Sequence, residues 1–179
     1  MSIFKRVFPL GIGTNRLPIS DPNDKDGLEK SVRLITEALD QGCSYVDVAH
    51  TYSKGMAIEA CRRAFLRTSA IYYVTVKSSY LSDTTYDDAF RRIEQTFYQL
   101  GIDHAGYFVC WNISSWEQFQ NITRPGGLYA GAVAAKERGL VDHICFSSHA
   151  APGEIIRMLE TGLFEGVTIS YSPLNSQIM

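Results

Sequence analysis

The chain has 179 residues, 45% hydrophobic and 20% charged, with 17 Lys+Arg against 19 Asp+Glu and a formal net charge of −2. That is enough apolar material for one domain with a sizeable core, and it excludes a disordered chain. The near-neutral balance argues against a general electrostatic grip on nucleic acid or an anionic membrane, because both need a basic surplus, and leaves small ligands.

Short apolar runs alternate with amphipathic segments along the whole chain. Val7 to Gly13 reads as a first strand, followed by a polar loop from Ser20 to Gly27. Leu28, Val32, Ile35 and Leu39 then recur at helical spacing, predicting a helix that ends at Gly42. Ser44 to Ala49 is a second strand, and Ala57, Ala60, Cys61, Ala64 and Phe65 mark a second helix. The third strand is Ile71 to Lys77. After it come N-cap candidates at Ser82 to Thr85, the helical stripe Phe90, Ile93, Phe97 and Leu100, and a stop at Gly101. Gly106 to Trp111 is a fourth strand, Leu128 to Arg138 a helix closed by Gly139, and His143 to Ser147 a fifth strand. Pro152 opens a fifth helix with Ile155, Ile156 and Leu159 inward, before a last strand from Val167 to Tyr171.

Six strands separated by five helices predict repeated βα units with parallel strands. A doubly wound sheet usually carries G-x-G-x-x-G after its first strand, whereas this chain reads Gly11-Ile12-Gly13-Thr14-Asn15-Arg16. A (β/α)8 barrel of TIM type fits better, but eight units take about 250 residues. The expectation is therefore one α/β barrel domain over residues 1–179, incomplete, with about six of eight βα units and lacking the last two.

No stretch reaches the roughly 20 apolar residues of a membrane span, and Met1 to Arg6 lacks a secretion signal, so a cytoplasmic protein is expected. Cys43, Cys61, Cys110 and Cys145 form no C-x-x-C pair and read as small buried hydrophobes.

In a barrel, reactive groups belong at the C-terminal ends of strands. Asp47 lies in an otherwise apolar strand and needs a cation, which Lys77 supplies from the next strand, while Tyr52 follows five residues after Asp47. An ammonium beside a phenol stabilises the phenolate, so this group suits proton donation to a carbonyl oxygen as hydride reaches its carbon. The alternative is a buried Asp–Lys salt bridge with an exposed rim tyrosine. His50 and His149 sit just beyond strand ends. They are read as lining a pocket rather than, with Asp47, ligating a metal for hydrolysis, so no metal is expected. His104 and His143 lie before their strands and are assigned no function. Tyr80, Trp111 and Trp116 join Tyr52 as rim aromatics.

These segments resemble the aldo-keto reductase family. Gly42 to Tyr52 is similar to its G-x-x-x-x-D-T-A-x-x-Y signature, and Tyr73-Val74-Thr75-Val76-Lys77 to the strand bearing its lysine. Leu100-Gly101-Ile102-Asp103 with Tyr107-Phe108, and Lys136 to Val141 with Phe146-Ser147, are similar to two later segments of the family. The resemblance implies an oxidoreductase that reduces an aldehyde or ketone to an alcohol with NADPH, or less often NADH. Tyr52 would be the general acid, tuned by Lys77 and Asp47. Gly13 and Thr14 on the first strand, Ser147 and Ser148 on the fifth and Thr168 on the sixth would touch the cofactor. His50, Trp111 and Asn112 would face a small-molecule carbonyl substrate. The family carries a histidine where this chain has Trp111, and an indole donates a hydrogen bond but cannot accept or relay a proton. The competing expectation is a noncatalytic scaffold or subunit whose unpaired barrel edges pair with a second copy or a complementing chain.

Overall fold

The computed structural model describes residues 10–172. In chain order its elements are β1 (Gly11–Gly13), α1 (Lys25–Asp40), β2 (Tyr45–Asp47), a 3-10 turn (Tyr52–Gly55), α2 (Ala57–Phe65), β3 (Tyr73–Ser79), α3 (Tyr86–Leu100), β4 (Ala105–Trp111), α4 (Trp116–Thr123), α5 (Leu128–Glu137), β5 (Val141–Ser148), α6 (Pro152–Glu160) and β6 (Gly166–Ile169). The strands follow one another in sheet order β1 to β6, with parallel pairing between β1 and β2, β2 and β3, and β5 and β6. Each predicted strand is present, although Val7 to Pro9 lie outside the described residues and β6 stops at Ile169 rather than Tyr171. No helix among the described residues is long and apolar enough to cross a membrane.

Two compact units make up the chain, one of residues 10–76 and 94–106, the other of 77–93 and 107–172. In the first, α1 buries the predicted stripe Leu28, Val32, Ile35 and Leu39, each contributing about 1.5–3 kcal/mol of apolar burial. Its neighbour α2 buries Ala57, Ala60, Cys61 and Ala64, small side chains that let the two helices pack closely. The helix begins inside the predicted loop because Asp24 caps it: its Oδ1 accepts from the Gly27 amide at 2.8 Å and its Oδ2 from the Ser20 amide at 2.8 Å. These bonds, with Ser20 first, lower the Asp24 carboxyl to about 2.

In the second unit the structure adds a helix that the hydrophobic pattern did not reveal. α4 is only two turns long, with Phe119 and Ile122 inward, and its signal lies in its cap. The Ser115 hydroxyl accepts from the Gln118 amide at 3.3 Å, while Gln118 Oε1 accepts from the Ser114 amide at 2.7 Å. Phe164 anchors the core here, with ring centroids of Phe119, Tyr129 and Phe146 at 5.8, 5.0 and 5.1 Å. α6 differs from expectation in its inward face. It buries Ile155 as expected, but with Met158 beside it, whereas Ile156 is 54% exposed and Leu159 is exposed too.

His143 lies inside β5 rather than before it. Its Nδ1 is 2.9 Å from Glu165 Oε2, while Glu165 Oε1 accepts from Lys136 Nζ at 2.6 Å and from the Ile144 amide at 3.0 Å. Burial opposes ionisation of Glu165, but these three donors outweigh it and hold the carboxyl below the usual glutamate range. The group fastens the entry of β6 to β5.

Gly131 in α5 sits where a Cβ would strike the Tyr86 carbonyl oxygen and come within 2.8 Å of Ala89 Cβ. Backbone cannot yield as a flexible side chain does, so Gly131→Val is expected to destabilise the fold by about 1–3 kcal/mol. A urea midpoint equal to that of the wild type would show that α5 can slide instead.

Candidate active site

Within the first unit, the ends of β1 and β2 meet in register, Gly13 opposite Asp47. Thr14 is fully buried, and its amide and Oγ1 both donate to the Asp47 carbonyl oxygen, at 3.0 and 2.8 Å. The hydroxyl expected to touch a cofactor is thus used to close one strand end against another. Asp47 is the last residue of β2 and His50 lies half-buried in the turn after it. Val48 is held by Thr75 of β3, whose Oγ1 accepts from the Val48 amide and donates to the Val48 carbonyl, both at 3.0 Å.

Tyr52 opens the 3-10 turn and is 9% exposed rather than a solvated rim residue. Behind it Ser53 and Lys54 take left-handed backbone angles, φ 46° and 59°. Each such residue costs about 1–2 kcal/mol when it is not glycine, so the turn must be held from outside. Ser53 does this: its hydroxyl donates to the Thr14 carbonyl at 2.7 Å and accepts from the Leu17 amide at 3.0 Å. Lys54 Nζ donates to the Ser20 carbonyl. Nothing in the hydrophobic pattern marks Ser53. Its importance comes from a backbone conformation that sequence spacing does not encode.

Lys77 lies in β3, two residues beyond Thr75 and so on the same strand face, and is 5% exposed. In its unit β3 is followed by a buried cluster that sequence inspection credited only with helix capping. Asp83 accepts from Ser78 Oγ at 2.7 Å and from Arg92 Nε at 2.8 Å. The cap of α3 is Thr85 with Asp88 instead, Asp88 Oδ2 accepting the Thr84 and Thr85 amides at 2.8 and 2.9 Å.

Trp111 ends β4, and its carbonyl accepts from the Tyr80 amide at 3.0 Å. The Trp111–Asn112 peptide bond is cis. The next amide, Ile113, donates to the Ser147 carbonyl at 2.8 Å, which brings Asn112 beside the end of β5. Ser147 in turn stands in register with Thr168 of β6, whose side chain is exposed. Asn112 Oδ1 and Ser147 Oγ are buried and have no hydrogen-bond partner among the described residues. Such atoms are costly to bury unless something else engages them. The Ser147 hydroxyl, both donor and acceptor, fits a nicotinamide carboxamide, and Asn112 beside it is left to engage a second polar ligand group. Ser148 differs: its Oγ accepts from the Ala150 amide at 3.0 Å and shapes the turn into α6.

Beside Trp116 the Arg157 guanidinium lies 3.7 Å from its ring centroid, and Phe119 stacks on it at 5.0 Å. Three of the cysteines, Cys61, Cys110 and Cys145, are buried, and burial pushes the Cys61 and Cys145 thiols up to about 12. His149 is exposed just past β5, and the described residues gather no group of three or more His, Cys, Asp or Glu able to hold a metal ion.

No curated protein matches the chain by sequence. Among solved structures, a thermostable aldo-keto reductase in complex with the inhibitor epalrestat superposes with a TM-score of 0.71 at 17% identity, over 90% of this chain and 57% of that one. An aldo/keto reductase from Klebsiella pneumoniae, in complex with NADP and acetate, gives 0.68 at 15%, over 86% and 50%. The holo form of an aldo-keto reductase from Bacillus halodurans gives 0.68 at 17%, over 94% and 58%. At such identities the likeness concerns the fold: six parallel strands with their helices match part of these barrels, and the chain spans little more than half the length of the solved relatives it matches. The model of the aldo/keto reductase family matches residues 9–178, and the chain belongs to that family.

Proposed function

We propose that the protein acts in the NAD(P)H-dependent reduction of an aldehyde or ketone to an alcohol. The observation that carries this reading is the family match over residues 9–178 together with the Asp47, Tyr52 and Lys77 signature. When bound, the nicotinamide cofactor, NADPH or NADH, supplies the hydride for the carbonyl carbon. Gly13, Ser147, Ser148 and Thr168 are the residues proposed to hold it, with Thr14 supporting Gly13 from behind. Tyr52 gives its phenolic proton to the carbonyl oxygen as negative charge develops there. Lys77, kept charged by Asp47, favours that transfer because its ammonium stabilises the phenolate left behind. Asn112 and His50 orient the substrate oxygen. Trp111, an indole with a single donor, adds a hydrogen bond but leaves proton delivery to Tyr52.

The test is isotopic. With NADPH deuterated at C4 and a panel of aldehydes, one deuterium is expected at the carbinol carbon of the product, read by mass spectrometry. Product without label, or no product from any aldehyde, would sink the proposal.

A second reading is favoured by β6, the last strand of the sheet order among the described residues, where Thr168 and Ile169 are exposed. An open parallel edge invites another strand. In this reading the chain is a subunit whose barrel is completed by a second copy or another chain. Light scattering that finds only monomer, at concentrations where cofactor binds, would count against it.

A further inference from the structure

We infer that Thr14 and Ser53 form a clasp that positions Tyr52 relative to Asp47, an inference that rests on the proposed role of Tyr52 as proton donor. Tyr52 lies beyond the end of β2, on irregular backbone that sheet pairing does not hold. Both ends of the Asp47 to Ser53 segment nevertheless converge on one residue. At one end the Asp47 carbonyl accepts the amide and hydroxyl of Thr14, at 3.0 and 2.8 Å. At the other the Thr14 carbonyl accepts the Ser53 hydroxyl at 2.7 Å.

Further bonds secure the same corner. Ser53 Oγ accepts from the Leu17 amide at 3.0 Å, the Ser53 amide donates to the Asn15 carbonyl at 3.3 Å, and the Tyr52 amide donates to the Ala49 carbonyl at 3.1 Å. Ser53 is 7% exposed and Thr14 fully buried, so water does not compete for these bonds. The left-handed backbone of Ser53 and Lys54 directly after Tyr52 persists only while something holds it, and the Ser53 hydroxyl is the group that bridges it to the segment after β1. Ser53 is therefore a positioning residue: it touches no reacting atom and acts through the placement of Tyr52.

Ser53→Ala removes the hydroxyl and keeps the left-handed strain, while Ser53→Gly removes both and provides a foldable alternative should the alanine variant fail to fold. Displacing a proton donor by a fraction of an ångström lowers the chemical step without changing affinity, so kcat is expected to fall by about 10- to 100-fold. The KM for the carbonyl and the Kd for NADPH should stay within about twofold, as positioning lost only in the transition state requires. Amide exchange at Leu17 and Tyr52 should accelerate about tenfold or more, while Val32 and Ile35 in α1 keep wild-type protection. The proposal is overturned if both variants keep wild-type kcat and Tyr52 protection, or if protection falls equally at Val32 and Ile35. Should the wild type reduce no carbonyl, the functional proposal fails separately and Tyr52 exchange alone decides the clasp: faster exchange supports it and unchanged exchange overturns it.

Discussion

Tyr52→Phe is expected to lower kcat for carbonyl reduction by about 10²- to 10⁴-fold, the usual contribution of a positioned general acid. The substitution removes one hydroxyl and keeps the ring. Because Tyr52 is almost entirely buried on the 3-10 turn, its ring packing should survive and the melting temperature should change by only a few degrees. The Kd for NADPH, measured by fluorescence, should be unaffected, since the proposed cofactor residues are Gly13, Ser147, Ser148 and Thr168. A variant that retained wild-type turnover would remove Tyr52 from the chemistry, whatever became of the cofactor. Loss of turnover together with loss of NADPH binding would instead point to a collapsed site.

The largest expected loss of stability comes from Asp83→Ala. Asp83 has no exposed surface and accepts from Ser78 Oγ at 2.7 Å, from Arg92 Nε and Nη2 at 2.8 and 3.1 Å, and from Arg91 Nη2 at 3.2 Å. The Arg92 side chain is itself largely buried. Removing the carboxylate takes these bonds from the Arg92 guanidinium and the buried Ser78 hydroxyl, a loss of about 3–5 kcal/mol for a broken buried pair. Asp88→Ala is the control, because Asp88 caps α3 and pairs with the half-exposed Arg91, so its loss should cost about 1 kcal/mol. Urea unfolding measures both, and a loss below about 1 kcal/mol for Asp83→Ala would mean that the β3–α3 connection is held by other contacts.

The same cluster sets an acid limit. Burial by itself would raise the Asp83 carboxyl, but hydrogen bonds from Arg92 and Ser78 outweigh it and hold it below 3.8. A carboxyl lowered in the folded state stabilises the fold fully above its unfolded value and loses that contribution as pH falls through the folded one. The wild type should therefore lose stability below about pH 4 more steeply than Asp83→Asn, as read by melting temperature against pH.

Much of the fold was legible because its signals are local. The four-residue and three-residue spacings of Leu28, Val32, Ile35 and Leu39 directly report which face of α1 is buried, and glycines marked where helices stop. Gly139 takes φ 72° after α5, and the Leu140 amide closes back on the Ala135 carbonyl at 3.0 Å. Two features escaped because their signals are not hydrophobic periodicity. α4 is too short for a stripe and is announced by Ser115 and Gln118 at its start. On α6, Ile156 and Leu159 are as apolar as Ile155 and Met158, so composition could not say which pair faces inward.

Local sequence was sufficient to mark the family, because a signature is a run of residues along one chain; Asp47 ends β2 as expected, whereas β3 runs two residues past Lys77 to Ser79. Local sequence could not show how Thr14 spends its hydroxyl, that Ser53 holds a left-handed turn, or that Asp83 is buried against Arg92 rather than capping α3. Each of these depends on which donor faces which acceptor after folding, at separations of up to 39 residues between Thr14 and Ser53. Hydrophobic patterning records only whether a side chain is buried. The partner that makes burial of a polar group tolerable is chosen by the tertiary fold.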